Sequence, residues 1–110
     1  MVKTIDFGGE SRPVKYGWNA LAIFGDMTKT GLNDLSKFET EMTFSEVIAL
    51  IYAGLKEGAR AEKKDFSLTT DDIGDFLDGE DFEEKMEEFM GVFVDQMPQS
   101  KKVEAPRKGP

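Results

Sequence analysis

The chain has 110 residues, a net charge of −8, 39% hydrophobic and 33% charged residues, and neither cysteine nor histidine. That length and composition fit one folded domain with a single modest core under a heavily solvated surface. The missing residue types exclude disulfides, thiolate nucleophiles, cysteine-based zinc sites and serine–histidine catalysis. The negative charge disfavours nucleic acid and anionic membrane, because both need a basic footprint.

Residues 2–16 predict a β-hairpin. Ile5 and Phe7 share one face of its first strand, Val14 and Tyr16 share one face of its second, and Gly8-Gly9-Glu10 makes the turn. Pro13 cannot donate to a ladder, which puts the second strand at an edge. Such a hairpin is marginal alone and needs a helical partner. No apolar leader follows Met1, so the expected location is the cytoplasm.

After Gly17 the period changes. Trp18, Leu21, Ala22, Phe24 and Met27 suit one helical face over about 18–30, with Gly31 as a stop. Trp18 is assigned to the core. Leu32, Leu35 and Phe38 predict a short helix over 33–38, with Asn33 as a candidate cap.

The firmest helix start lies at Thr43. Glu46, three residues on, completes a capping box, and Met42 with Val47 forms a hydrophobic staple. The helix is predicted over 43–62, with Gly54 and Gly58 inside it at some cost. Residues 47–53 carry no charged side chain, so this helix should be the central strut, covered by the hairpin, the first helix and the last two. Any face these leave bare would need an identical subunit or a client. The apolar run is also far short of the ~20 residues that span a bilayer.

Thr69 and Asp72 repeat the capping logic, and Ile73, Phe76 and Leu77 form the stripe of a helix over 70–78 that stops at Gly79. The last helix is predicted over 80–97. Phe82, Met86, Phe89, Met90, Phe93, Val94 and Met97 lie on one face, Glu83, Glu84, Glu87 and Glu88 on the other, and Pro98 ends it. Residues 98–110 hold three prolines and four bases with almost nothing to bury, which predicts a disordered basic tail behind a single globular domain over 1–97. The fold class is α+β, mostly helical, with an N-terminal hairpin packed on a small bundle of four to five helices.

Between residues 71 and 88 stand ten carboxylates and one base, Lys85. Asp75, Asp78, Gly79 and Asp81 do not keep the spacing of a calcium loop, and helical spacing spreads the carboxylates over solvent. A solvated acidic face, with a secondary role in docking a basic partner, is the better account. Gly8-Gly9 lacks the following Lys-Ser/Thr of a phosphate loop. No catalytic residue, cofactor or metal site is expected. The stripe of Phe82, Met86, Phe89, Met90, Phe93 and Met97 has two accounts: core packing, or an adaptable surface for a client segment, since three of the seven apolar positions, counting Val94, are flexible methionines.

The segments TIDFGGESRPVKYGWNALAIFGDMTKTGLNDLSKF and MTFSEVIALIYAGLKEGARAEKKDFSLTTDDIGDFLD, followed by the acidic closing helix, resemble in order and wording the tail assembly chaperones of long-tailed bacteriophages and prophages. The resemblance covers residues 2 to about 97 and rests on no catalytic motif. It implies a small, mostly helical, non-enzymatic protein of the host cytoplasm, absent from the finished virion. Its implied partner is the helical tape-measure protein, held soluble until tail-tube subunits polymerise around it; the tube protein is a second candidate partner and a homo-oligomer a third. Family members are often also made as a longer, frameshifted product. The rival functions are a structural tail component and an acidic regulatory protein that mimics DNA.

Overall fold

The computed structural model describes residues 2–31 and 41–96. The predicted helix over 33–38, Met97 and the basic segment 98–110 lie outside the described residues.

The hairpin consists of β1 (Lys3–Phe7) and β2 (Glu10–Val14), paired antiparallel from Lys3↔Val14 to Phe7↔Glu10. The turn is two residues, Gly8 and Gly9, with φ of 64° and 87°. Left-handed conformations at both central positions match the twist of flanking strands, and only glycine adopts them freely. This register puts Ile5, Phe7 and Val14 on one buried face, and Tyr16 joins them just beyond β2.

Among the described residues four helices follow: α1 (Trp18–Thr28), α2 (Phe44–Ala61), α3 (Thr70–Asp78) and α4 (Phe82–Gln96). The architecture is α+β and mostly helical, a hairpin on a helical bundle. α1 closes at Thr28 rather than near residue 30. Lys29, not Gly31, takes the left-handed conformation at its end and donates to Gly25 O, while Thr28 Oγ1 donates to Phe24 O at 2.8 Å. Trp18 departs from its expected core position. It opens α1 at the surface, 53% exposed, because the helix turns Ala20 and Phe24 inward instead.

The predicted capping boxes form at both threonines. Thr43 Oγ1 accepts from Glu46 N and the Glu46 carboxylate accepts from Thr43 N; Thr69 and Asp72 make the same exchange. α2 ends in a Schellman-type turn in which Lys63, with φ of 56°, holds the place glycine usually takes; Lys64 N donates to Ala59 O and Lys63 N to Arg60 O.

α2 is the central element and packs on β2, α1, α3 and α4. Val47, Ala49, Leu50, Ile51, Ala53, Leu55 and Ala59 are buried, and Ile48 and Tyr52 are half-buried. Gly54 and Gly58 have a packing reason. A Cβ at Gly54 would overlap the Tyr16 ring, and one at Gly58 would overlap the Pro13 carbonyl. The two glycines make a trough along α2 in which β2 lies. Lys15 N extends the contact by donating to Gly54 O at 3.1 Å, and Tyr16 OH donates to Leu50 O at 2.7 Å.

Candidate functional site

α4 starts at Phe82 because Asp81 caps it: Asp81 Oδ1 accepts from Glu84 N at 3.1 Å, and Asp81 O accepts from Lys85 N. The preceding residue fixes the helix to the hairpin, since Glu80 Oε2 accepts from Gly8 N at 3.1 Å. Gly8 also approaches the Phe76 ring of α3 so closely that a Cβ there would overlap it, so the turn, α3 and the start of α4 form one joint.

Of the six stripe residues singled out from the sequence, the structure brings five into view and divides them. Phe89 and Phe93 are fully buried. Phe89 meets Phe7 edge-on with ring centroids 5.4 Å apart, and Phe93 meets Tyr16 in the same way. These rings fill the core and offer nothing to a partner while the fold is intact. Phe82, Met86 and Met90 are half-buried at the margin of the core. Met97 is outside the described residues.

Two further residues extend this margin: Phe44, which sequence reasoning missed, and Val94, which it placed on the stripe without counting it among the candidate contacts. Phe44, the first residue of α2, is 76% exposed, and its ring meets Phe82 at 5.9 Å. Val94 is 42% exposed. Residues 82, 86, 90 and 94 recur at four-residue steps, so they line one flank of α4. Phe44 continues the line onto α2. The signal for Phe44 was its place just after the Thr43 cap, where a helix meets solvent before entering the core.

Charge surrounds this face unevenly. Glu83 and Glu87 are exposed and stand three residues before Met86 and Met90, within side-chain reach on the same flank. The one base of this region is turned away: Lys85 is buried, its Nζ donating to Asp6 O of β1 at 2.7 Å and lying 3.4 Å from Glu88 Oε1. Lys85 belongs to the core-facing row with Phe89 and Phe93, each four residues further on. A second buried charge, Glu57, is neutralised by Arg60 at 2.8 Å; the hydrogen bonds that Arg60 donates to Glu57, then the carboxylate's charge, raise the guanidinium's pKa further.

Two other surfaces have less to offer. Trp18, Leu21, Ala22, Gly25, Thr30 and Gly31 line a shallow apolar hollow on α1. A cleft of about 330 Å³ between β2 and residues 64–68 has mixed charge. Its Arg12 is already engaged: Nε donates to Phe7 O at 2.6 Å, and the guanidinium sits 5.0 Å over Phe76. Among the described residues no group of three acidic side chains could hold a metal ion, and no helix is long and apolar enough to cross a membrane.

No family model, curated protein or solved structure matches this chain.

Proposed function

We propose that this chain is a phage tail assembly chaperone that binds the tape-measure protein and keeps it soluble during tail morphogenesis in the host cytoplasm. The observation that carries the reading is the surplus of apolar surface beside α4. Phe89 and Phe93 lie in the core, whereas Phe82, Met86 and Met90 are covered by it only in part and Val94 and Phe44 are exposed. Methionine suits a surface that must adapt to a long client of varied sequence. The high negative charge keeps such a protein dispersed while it carries an aggregation-prone partner. The reading assigns no catalytic role and no cofactor to any residue.

Co-expression with the tape-measure protein encoded beside it tests the proposal. The expected result is a rise in soluble tape-measure protein and its co-purification with this chain; unchanged solubility with no co-purification sinks the idea. Mass spectrometry of finished particles separates the chaperone, which should be absent, from a structural tail component, which should be present. The exposed carboxylates of Asp71, Asp75, Asp78, Glu83, Glu84 and Glu87 favour a second reading, an acidic regulator that fills a basic groove on a host factor. Partner binding that persists unchanged at high salt argues against it, because exposed charges are screened there.

A further inference from the structure

We propose that the face formed by Phe44, Phe82, Met86, Met90 and Val94 receives a cationic amphipathic helix, so that clients are selected by charge as well as by apolar fit. The proposal rests on the chaperone reading for the client's biological role, while the recognition chemistry follows from α4 and the start of α2.

The face has the length of a docked helix. Residues 82 and 94 are separated by roughly 18 Å along the α4 axis at about 1.5 Å per residue, a little over three turns, and Phe44 broadens the end at Phe82. Apolar anchors repeating every three or four residues on a partner helix would fit such a strip. Methionines at two of the five positions reshape easily, so shape alone discriminates poorly between clients.

Charge supplies the discrimination. Glu83 and Glu87 border the strip, and neither forms an ion pair with a described residue. Lys85 is held against β1 and does not offset them. A partner helix with lysine or arginine flanking its apolar stripe would meet these carboxylates, whereas an acidic one would be repelled. The chain's own residues 98–110 supply four bases, but their only apolar side chains besides the prolines are Val103 and Ala105. They provide charge without anchors, which favours a separate partner over this segment.

The test uses the full chain and three labelled peptides of about five helical turns: an amphipathic Leu/Lys helix, its Leu/Glu counterpart, and a scrambled Leu/Lys peptide of identical composition. Affinity is measured by fluorescence anisotropy at low and high salt. The Leu/Lys helix should bind, and more weakly at high salt. Phe44→Ser and the double variant Glu83→Gln/Glu87→Gln should each weaken it by about tenfold, or ~1.4 kcal/mol. Both variants alter exposed side chains, and unchanged thermal melts verify that they fold. Equal binding of the Leu/Glu or the scrambled peptide overturns the proposal, as does unchanged affinity in either variant. Sedimentation of the unliganded protein covers the remaining occupant: self-association abolished by Phe44→Ser would make the face an interface between copies and overturn the proposal too. Peptide binding without tape-measure co-purification rejects the chaperone reading alone; the opposite pattern rejects only the cationic-helix proposal.

Discussion

α2 and α4 are both rich in apolar residues, but they meet their surroundings in different ways. α2 is enclosed by the hairpin and three helices, and even its glycines are in contact. α4 buries one row, Lys85, Phe89 and Phe93, and leaves the adjacent flank at the margin. The contrast shows how to tell a strut from a docking helix in a small domain. A strut carries small residues where neighbours approach and, past its first residue Phe44, leaves no large apolar side chain exposed. A docking helix carries more apolar width than its own core needs, bordered by charge. Pairs of substitutions, one in each setting, can break the contrast or sharpen it.

The largest difference should come from two phenylalanines. Phe89→Ala empties a fully buried site that touches Phe7, and should cost about 3–5 kcal/mol. Phe44→Ala removes a mostly exposed ring and should cost about 0.5 kcal/mol or less. Denaturant melts of both variants check this. Similar losses would mean that the marginal face is part of the core.

Next in size is Gly58→Ala. The added methyl would overlap the Pro13 carbonyl, so β2 must leave its trough. Overpacking of this kind costs about 1–3 kcal/mol, and the helix preference of alanine returns roughly 1 kcal/mol at most. A net loss of about 1–2 kcal/mol in urea denaturation is expected, since the overlap is with backbone, which puts the overpacking cost in the upper part of its range. A neutral or stabilising effect would show that β2 and α2 are not in this close contact.

Much of this arrangement was legible in the chain, and the rest was hidden for physical reasons. Capping boxes are local, so Thr43 with Glu46 and Thr69 with Asp72 located two helix starts to within a residue. The alternation of Ile5, Phe7, Val14 and Tyr16 around Gly8-Gly9 likewise identified the buried side of the hairpin. Gly54 and Gly58 looked like a cost because their benefit lies at Tyr16 and in β2, more than 35 residues away in the chain. Asp81 was lost as a cap among ten carboxylates, and Lys29 and Lys63 hold left-handed positions where glycine is the expected signal. At the candidate site, spacing identified the stripe of α4 but not its division. Whether a residue at the edge of a stripe is covered depends on the neighbouring helix. Phe44 therefore became visible only once α2 and α4 were placed side by side, as did the exposure of Val94 at the edge of the predicted stripe.

Alkaline pH probes the strut side of the comparison. Tyr16 is buried against Gly54 and donates to Leu50 O, and burial pushes its hydroxyl well above its ordinary value. The folded state then keeps a proton that the unfolded state loses. Stability is full below the unfolded pKa of about 10 and falls above it, by about 1.4 kcal/mol per pH unit until the folded group also titrates. Chemical denaturation between about pH 9 and 11 should show this fall in the parent and a shallower one in Tyr16→Phe. Equal slopes would mean that Tyr16 is not sealed in.

The two capping threonines should differ little from each other. Thr43→Ala and Thr69→Ala each leave the N3 amide of a helix without its side-chain acceptor, and each should cost about 1 kcal/mol. A much larger loss at Thr43 would show that the start of α2 orders more than its own first turn.

The smallest effect is also the sharpest contrast, because it repeats the glycine substitution on the other helix. Gly91 of α4 is exposed and helical, and a Cβ added there meets nothing within 4 Å. Gly91→Ala should therefore stabilise the protein by about 0.5–1 kcal/mol, through the lower conformational entropy of the unfolded chain and the better helix propensity of alanine. The same chemical change thus carries opposite signs at Gly58 and Gly91. Gly91 is also next to Met90 and three residues before Val94. If the cationic helix docks on this flank, a methyl at 91 adds little contact and should leave peptide affinity unchanged while the melting temperature rises. Loss of affinity with the expected gain in stability would place the partner's backbone directly over Gly91, and would move the docked helix from the flank of α4 to its crest.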